Sequence, residues 1–183
     1  YTASEIQPDM LNADITKTTD SPSWGGLYLQ YFEKFDQVQQ QKGILSVTKK
    51  LFIEKIGSDG KQELLPLGKE KLKTGDKVIT RLTLSLKQDM DFLYLKDFRA
   101  ACFEPIGQLS GNRWKFGTVY YEESKDAVTN FFFNSLAKGT YVLEYPVWVN
   151  QAGTYQDGIA TFQSMYAPEY TAYSEAGKIT VTK

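Results

Sequence analysis

The chain has 183 residues, with 21 basic against 22 acidic side chains, one cysteine and no histidine. That length suits one domain with a core that needs no disulfide, and the balanced charge leaves no basic excess for binding nucleic acid. Without histidine, a Ser-His-Asp or Cys-His catalytic group cannot be built within this chain.

The longest apolar stretch, WGGLYLQYF (24–32), is too short to cross a bilayer. We therefore expect no direct membrane insertion of this segment. Because the first residue is Tyr1 and not methionine, we expect a processed product or an excised fragment.

Strand signals dominate the chain from residue 24 onward. Residues 1–23 are polar and predict a loose lead-in, with at most one short strand near Ile15. After them, apolar and polar residues alternate in short runs, which is typical of half-buried strands. The predicted strands are WGGLYLQYFE (24–33), LSVTKKLFI (45–53), KVITRLTLSLK (77–87), DFLYLKDF (91–98), GTVYYEE (117–123), TNFFFNSL (129–136), GTYVLEYPVWVN (139–150), GIATFQSMY (158–166) and GKITVTK (177–183). Two polar stretches, FDQVQQQKG (35–43) and AGTYQDG (152–158), are predicted to be loops.

Many short strands separated by turn signals predict an all-β fold, an antiparallel β-sandwich of immunoglobulin or fibronectin-like architecture. No helical periodicity extends beyond about ten residues. Pro146 lies inside a strongly alternating run and cannot donate to a ladder, so we expect an edge strand or a bulge there. The sandwich domain is assigned to 24–183, and the lead-in at 1–23 either pairs with it or belongs to a preceding domain.

Cys102 lies in CFEP, one letter from the C-x-E-Q sequence that closes an internal thioester. Position 105 is Pro, so the glutamine that would supply the acyl group is missing. No histidine is present to lower the pKa of the thiol, and Lys96 and Arg99 are the only nearby cations. We therefore interpret Cys102 as a small buried apolar residue.

Acidic residues show no pattern of a catalytic or metal site. Glu122 and Glu123 are adjacent, so on a strand they point to opposite faces. The Asp-Gly pairs in SDGKQE (58–63) and TYQDG (154–158) are explained by turn chemistry as well as by calcium binding. We expect no catalytic residue, no metal, no cofactor and no enzymatic activity.

Some aromatic side chains fall on the outward register of their strands. Phe132 lies opposite its neighbours in FFF (131–133), and Trp148 is out of register with the apolar face of its strand. Exposed aromatic residues on a sheet usually mark contact with another domain or a ligand. Contact with a domain is favoured, because these residues are not spaced as one flat strip; stacking on carbohydrate is the alternative.

Five stretches, in fixed order, carry a resemblance to a known family. The chain resembles the C-terminal macroglobulin-like domain of bacterial alpha-2-macroglobulin family proteins, with the Bacteroidetes branch most similar. The stretches are WGGLYLQYFE (24–33), GDKVITRLTLSL (75–86), KDFRAACFEPIGQLSG (96–111), YYEESKDAVTNFFFNSLAKGTYVLEYPVWVNQAGTY (120–155) and SMYAPEYTAYSEAGKITV (164–181).

The resemblance implies a non-catalytic role in a larger protein of the cell envelope, periplasmic or surface-anchored, that traps or inhibits proteases. Partners are then the other domains of the parent chain, above all a separate helical domain that carries the thioester where one exists. Target proteases are reached only through the full-length protein. The alternative is a carbohydrate-binding module of a cell-surface protein.

The SMYAPEY loop (164–170) is the best candidate for an inter-domain contact. Its Met165, Tyr166 and Tyr170 offer adaptable and amphipathic surface. Together with Trp148 and Phe132 they form the predicted contact set. Met165 and Tyr166 capping the core of their own domain is the alternative.

Overall fold

The computed structural model describes residues 2, 4–12, 14–25, 32–34, 37–68, 71–107 and 109–183. The chain divides into two compact units, residues 1–32 and residues 33–183. In the first unit, a short 3-10 helix spans Pro8–Leu11, and residues 14–23 form no strand, so the strand expected near Ile15 is absent. The predicted strand at 24–33 falls mostly on residues 26–31, which lie outside the described residues.

The second unit is built from strands, and no α-helix occurs among its described residues. The strands are β1 (Leu45–Ile56), β2 (Gln62–Pro66), β3 (Leu72–Lys73), β4 (Lys77–Leu86), β5 (Met90–Phe98), β6 (Phe103–Pro105), β7 (Gly111–Lys115), β8 (Thr118–Ser124), β9 (Val128–Leu136), β10 (Gly139–Val149), β11 (Gly153–Asp157), β12 (Ala160–Ser164), β13 (Thr171–Tyr173) and β14 (Gly177–Thr182).

Two large sheets form the sandwich. The five-stranded sheet has the order β2-β1-β4-β10-β6, and the six-stranded sheet has the order β13-β12-β5-β9-β8-β7. All neighbours in these two sheets are antiparallel. A third sheet of order β11-β14-β3 contains a parallel pair, β14 with β3. The predicted antiparallel sandwich is therefore confirmed, with this one parallel pair as an addition.

The hydrophobic core lies between the two large sheets. Inward positions of β1, β4 and β10 alternate with outward ones, as do those of β5 and β9 on the other side. The Phe131 ring of β9 lies 6.2 Å from the Tyr145 ring of β10, centroid to centroid, which joins the sheets directly. Among the largest fully buried side chains are Phe131, Phe162, Ile53 and Leu82.

Pro146 lies where the register of β10 with β6 ends, and its carbonyl still accepts a hydrogen bond from the Ile106 N–H at 3.2 Å. It lies opposite Ile79 of β4, while β6 on the other side covers only Val147–Val149. Along the rest of that side β10 is an edge strand, which tolerates a residue without an N–H group. The Lys115 ammonium donates to the Val142 carbonyl there at 3.1 Å, an arrangement that also discourages pairing with another chain.

Two loop predictions need correction. The stretch at 152–158 contains β11, because Gly153–Asp157 pairs with β14 over five residues. Within 35–43, residues 37–43 are largely exposed, but Gln41 exchanges backbone hydrogen bonds with Tyr173 of β13 at 3.1 and 3.4 Å. The glutamine-rich segment is thus attached to the sheet edge and is not a free connection.

Candidate functional site

The outer face of the six-stranded sheet carries a row of aromatic side chains. Strand register sets Tyr94 of β5 beside Phe132 of β9, and Phe132 beside Tyr121 of β8. The Tyr94 and Phe132 rings stack with centroids 4.9 Å apart and an interplanar angle of 19°. The Tyr121 ring follows at 6.3 Å from Phe132. Period-2 alternation puts these three on the face opposite the core.

A second group of exposed side chains lies around Phe92, near the start of β5. Its ring meets the Tyr166 ring edge to face at 5.2 Å, and its carbonyl accepts a hydrogen bond from the Met165 N–H at 2.9 Å. Phe92 has a φ of 53°, a left-handed conformation that bulky residues rarely adopt. Tyr166 is 78% exposed and Met165 is 40% exposed. We call the two groups together the aromatic surface: Phe92, Tyr94, Tyr121, Phe132, Met165 and Tyr166.

The polar flank of the aromatic surface is ordered by hydrogen bonds. The Tyr94 hydroxyl donates to Asn130 Oδ1 at 2.9 Å, and Asn130 Nδ2 donates to Glu123 Oε2 at 2.8 Å. Burial raises the pKa of Tyr94, and the Glu123 carboxylate raises it further. The phenol therefore stays neutral and keeps its donor role in ordinary solution.

The structure divides the predicted contact residues among three places. Phe132, Met165 and Tyr166 belong to the aromatic surface. Trp148 lies on the outer face of the five-stranded sheet, in register with Lys77 and Glu104, and is half exposed. Tyr170 is partly buried against the core. Met165 and Tyr166, which the alternative assigns to capping the core, are 40% and 78% exposed.

A second notable site lies inside the sandwich, where Lys49 of β1 points inward. The core-facing register of β1 runs through Val47, Lys49 and Leu51, so a lysine occupies an apolar position. Its side chain is only 3% exposed. The inward position of Lys49 can be predicted from the sequence, because period 2 places it on the same face as the leucines around it. Strand alternation does not predict which residues contact Lys49.

The Lys49 ammonium is surrounded by oxygen atoms. Lys49 Nζ lies 3.0 Å from Asp97 Oδ1 and 2.9 Å from Asp157 Oδ1. It also donates to the carbonyls of Phe98 and Gly158, at 2.7 and 2.9 Å. Asp97 belongs to β5 of the opposite sheet and Asp157 ends β11, so one side chain ties three elements together.

Tyr145 of β10 completes this cluster, because its hydroxyl donates a short hydrogen bond to Asp97 Oδ2. We call Lys49, Asp97, Tyr145 and Asp157 the ion cluster. Burial raises the pKa of Tyr145 well above its usual value, and the charge of Asp97 adds to this. The phenol is therefore a neutral donor to the carboxylate.

Charge pairing decides the protonation of the ion cluster. Burial alone would lower the pKa of Lys49, but Asp97 and Asp157 together raise it above its ordinary value. Burial raises the pKa of Asp157, with Lys49 opposing and Asp97 adding to the shift. The ammonium of Lys49 is therefore held in its charged form between the two acids.

Two converging acids are also the mark of some hydrolases, but this pair lacks their geometry. A glycosidase needs the sugar bond between its two carboxyl groups. Here the space between Asp97 and Asp157 is filled by the Lys49 ammonium, and Asp97 is fully buried. The pair therefore has no room to flank a substrate bond.

Cys102 is fully buried, as predicted, and belongs to the hydrophobic core. Burial raises the pKa of its thiol to about 11, so little thiolate exists at neutral pH. Among the residues that the structure describes, no three His, Cys, Asp or Glu side chains are grouped to hold a metal ion. Within that same part of the chain, no helix has the length and apolar character needed to span a membrane.

Comparison with protein families identifies the fold. The model of the "Bacterial Alpha-2-macroglobulin MG10 domain" family matches residues 45–169, which run from the start of β1 to the loop before β13. The chain belongs to this family. The resemblance to a macroglobulin-like domain of bacterial alpha-2-macroglobulin is thereby confirmed. A search of curated proteins found no match.

Solved structures of bacterial alpha-2-macroglobulins contain a similar fold. A Salmonella alpha-2-macroglobulin mutant, Y1175G, superposes with a TM-score of 0.61 at 19% identity over 80% of this chain. Escherichia coli alpha-2-macroglobulin activated by porcine elastase gives 0.62 at 20% identity over 80%. Native E. coli alpha-2-macroglobulin from domain MG7 to the C-terminus gives 0.60 at 18% over 79%. The present chain spans only 10%, 14% and 24% of those chains, so it corresponds to one domain of much larger proteins.

Proposed function

We propose that this MG10 domain is a non-catalytic interaction module of an alpha-2-macroglobulin that traps or inhibits proteases at the bacterial cell envelope. The observation that carries the proposal is the aromatic surface, an outward set of aromatic side chains on a domain whose relatives are much longer. The five ordered sequence stretches support placing the parent protein in the Bacteroidetes branch.

Similar structures support a link to proteases. One E. coli alpha-2-macroglobulin structure is described as activated by porcine elastase, and another as activated by trypsin. This chain's part in such a response is to contact other domains of its parent, including a helical domain of the kind that carries a thioester. Proteases are met by the whole protein and not by this domain alone.

The chemistry of the aromatic surface suits a protein partner. Tyrosine, phenylalanine and methionine are enriched in the cores of protein interfaces, where rigid rings bury a large area at low entropic cost. Stacking between Tyr94 and Phe132 turns the faces of these rings toward each other, at 4.9 Å. A sugar platform instead needs ring faces open to solvent, so the geometry favours a protein contact over carbohydrate.

The test is binding in trans. The isolated chain is titrated against its parent protein expressed without this domain, and the affinity is measured by calorimetry. We expect Tyr166→Ala to weaken binding about tenfold or more, since truncating an aromatic anchor costs about 2 kcal/mol at an interface hot spot. Tyr166 is exposed enough for the fold to be unaffected.

Ile56→Ala is the matched control, because Ile56 is also 78% exposed but lies at the end of β1 on the other sheet. Its binding should equal that of the unaltered chain. Equal affinity for Tyr166→Ala and Ile56→Ala would contradict the assignment of the aromatic surface. Retention of the isolated chain on polysaccharide columns, lost in Tyr166→Ala, would replace the proposal with the carbohydrate-binding alternative.

A further inference from the structure

The ion cluster brings an amine and a carboxyl group into contact inside the sandwich. Lys49 Nζ and Asp97 Oδ1 are 3.0 Å apart, on strands of opposite sheets. A second acid, Asp157, contacts the same amine at 2.9 Å, and a phenol holds the far oxygen of Asp97. These are the groups that amide formation requires: a nucleophile, an acyl group, a proton carrier and a donor to the carbonyl oxygen.

We propose that Lys49 and Asp97 react with each other to form an intramolecular amide, an isopeptide bond, that joins the two sheets of the sandwich. The reaction is a single self-modification with no external substrate. It is therefore independent of the proposed interaction function.

The contacts assign a role to each group. Asp97 is the acyl group, because Tyr145 donates to its Oδ2 and so stabilises the negative charge that develops there during attack. The other oxygen, Oδ1, faces Lys49 and is the one that departs. Asp157 is the proton carrier, because its carboxylate lies 2.9 Å from the Lys49 amine and can take a proton from it.

The reaction balances without an oxidant or a cofactor. Asp157 takes a proton from the Lys49 ammonium, and the freed amine attacks the carboxyl carbon of Asp97. The Nζ–Cγ bond forms and the Cγ–Oδ1 bond breaks. Two protons from the ammonium leave with the Oδ1 oxygen as one water molecule, and the products are a neutral amide and a carboxylate at Asp157.

The surroundings favour this reaction over hydrolysis. Asp97 and Lys49 are almost completely buried, so little water can reach the amide to hydrolyse it once it has formed. Holding the reactants together in the fold replaces a bimolecular encounter by an intramolecular step, which can be equivalent to a reactant concentration of about 10⁵ M or more. A cleft of about 510 Å³, lined in part by Lys49 and Asp157, gives the released water an exit.

The mass of the purified 183-residue chain tests the inference. After denaturation, intact-mass spectrometry should give a value lower than the sequence mass by one water molecule. Trypsin should fail to cut after Lys49, and fragmentation should find one branched peptide linking Lys49 to Asp97. The full sequence mass, with normal cleavage after Lys49, would overturn the proposal.

Variants separate the roles of the groups. Lys49→Arg keeps a cation but cannot form the amide by this route, so it should show the full sequence mass. Asp157→Asn should fold, because it preserves shape, yet lose at least tenfold in the rate of bond formation. The exposed neighbour Lys50 supplies the control, and Lys50→Arg should lose water like the unaltered chain. Unchanged bond formation in Asp157→Asn, or a link from Lys49 to Asp157, would overturn the assignment of roles.

Discussion

Replacing Lys49 with Met lowers the free energy of unfolding by about 3–5 kcal/mol, the usual cost of removing one partner of a buried ion pair. The change leaves the carboxylates of Asp97 and Asp157 inside the sandwich without their cation. It also removes the donor to the carbonyls of Phe98 and Gly158. An amide between Lys49 and Asp97 would increase the loss, since the variant cannot form it.

Urea denaturation followed by tryptophan fluorescence measures this difference at neutral pH. Lys50→Met is the matched control, because Lys50 is the next residue on β1 and points to solvent, and its stability should change by no more than about 0.5 kcal/mol. Adding Asp97→Asn and Asp157→Asn to Lys49→Met should recover part of the loss, since no buried charge remains. An equal effect of Lys49→Met and Lys50→Met would show that the ion cluster does not stabilise the fold.

The loss in Lys49→Met should also shrink as the pH falls toward about 5. Burial already raises the pKa of Asp157, and removing the Lys49 cation that opposes this shift raises it further above that of the unfolded chain. The folded variant then binds protons more readily than its unfolded state, so its stability rises as the pH is lowered. A loss that grows on acidification would contradict this reasoning.

Replacing Gly158 with Ala destabilises the domain by about 3 kcal/mol or more, at or beyond the upper end of the usual cost of overpacking. A β carbon at this position would lie 2.1 Å from the carbonyl oxygen of Phe98 and 2.3 Å from its carbonyl carbon. Both atoms belong to the backbone, so β5 and the β11–β12 connection must move apart. The carbonyls of Phe98 and Gly158 both accept hydrogen bonds from Lys49. Moving these two segments apart therefore disturbs the ion cluster as well.

The close approach of Gly158 to Phe98 is tested by comparing the thermal and urea unfolding of Gly158→Ala with that of Gly177→Ala. A β carbon at Gly177 would meet nothing within 4 Å, so that variant should lie within about 1 kcal/mol of the unaltered chain. Similar stabilities of the two variants would mean that the backbone at Gly158 is free to adjust.

Strand alternation predicted the fold where one face of a strand is buried and the other is solvated. The runs at 45–53, 77–87 and 139–150 lie in β1, β4 and β10, which form the middle of the five-stranded sheet. Short peripheral strands were harder to predict. β11 carries Gly153, a threonine and polar residues in a sequence that also suits a turn, and only its pairing with β14 makes it a strand.

The candidate site was only partly predictable. The outward register of Phe132 follows from the FFF sequence, but its stacking with Tyr94 depends on the register between β5 and β9. Lys49 shares the core-facing positions of β1, which is visible in the sequence as a charge in an apolar series. Its partners are Asp97 on β5 of the opposite sheet and Asp157 at the end of β11. Strand periodicity predicts which face a residue occupies, but not how far it lies from residues of another sheet.

The most direct test that this domain works through its aromatic surface is hydroxyl-radical footprinting of side chains. The labelling of each side chain is compared between the isolated chain and its complete parent protein. Ile56 serves as the reference, since it is exposed and lies outside that surface. We expect Tyr121 and Tyr166 to be labelled in the isolated chain and protected in the parent. Equal labelling of both tyrosines in the two forms would contradict the account.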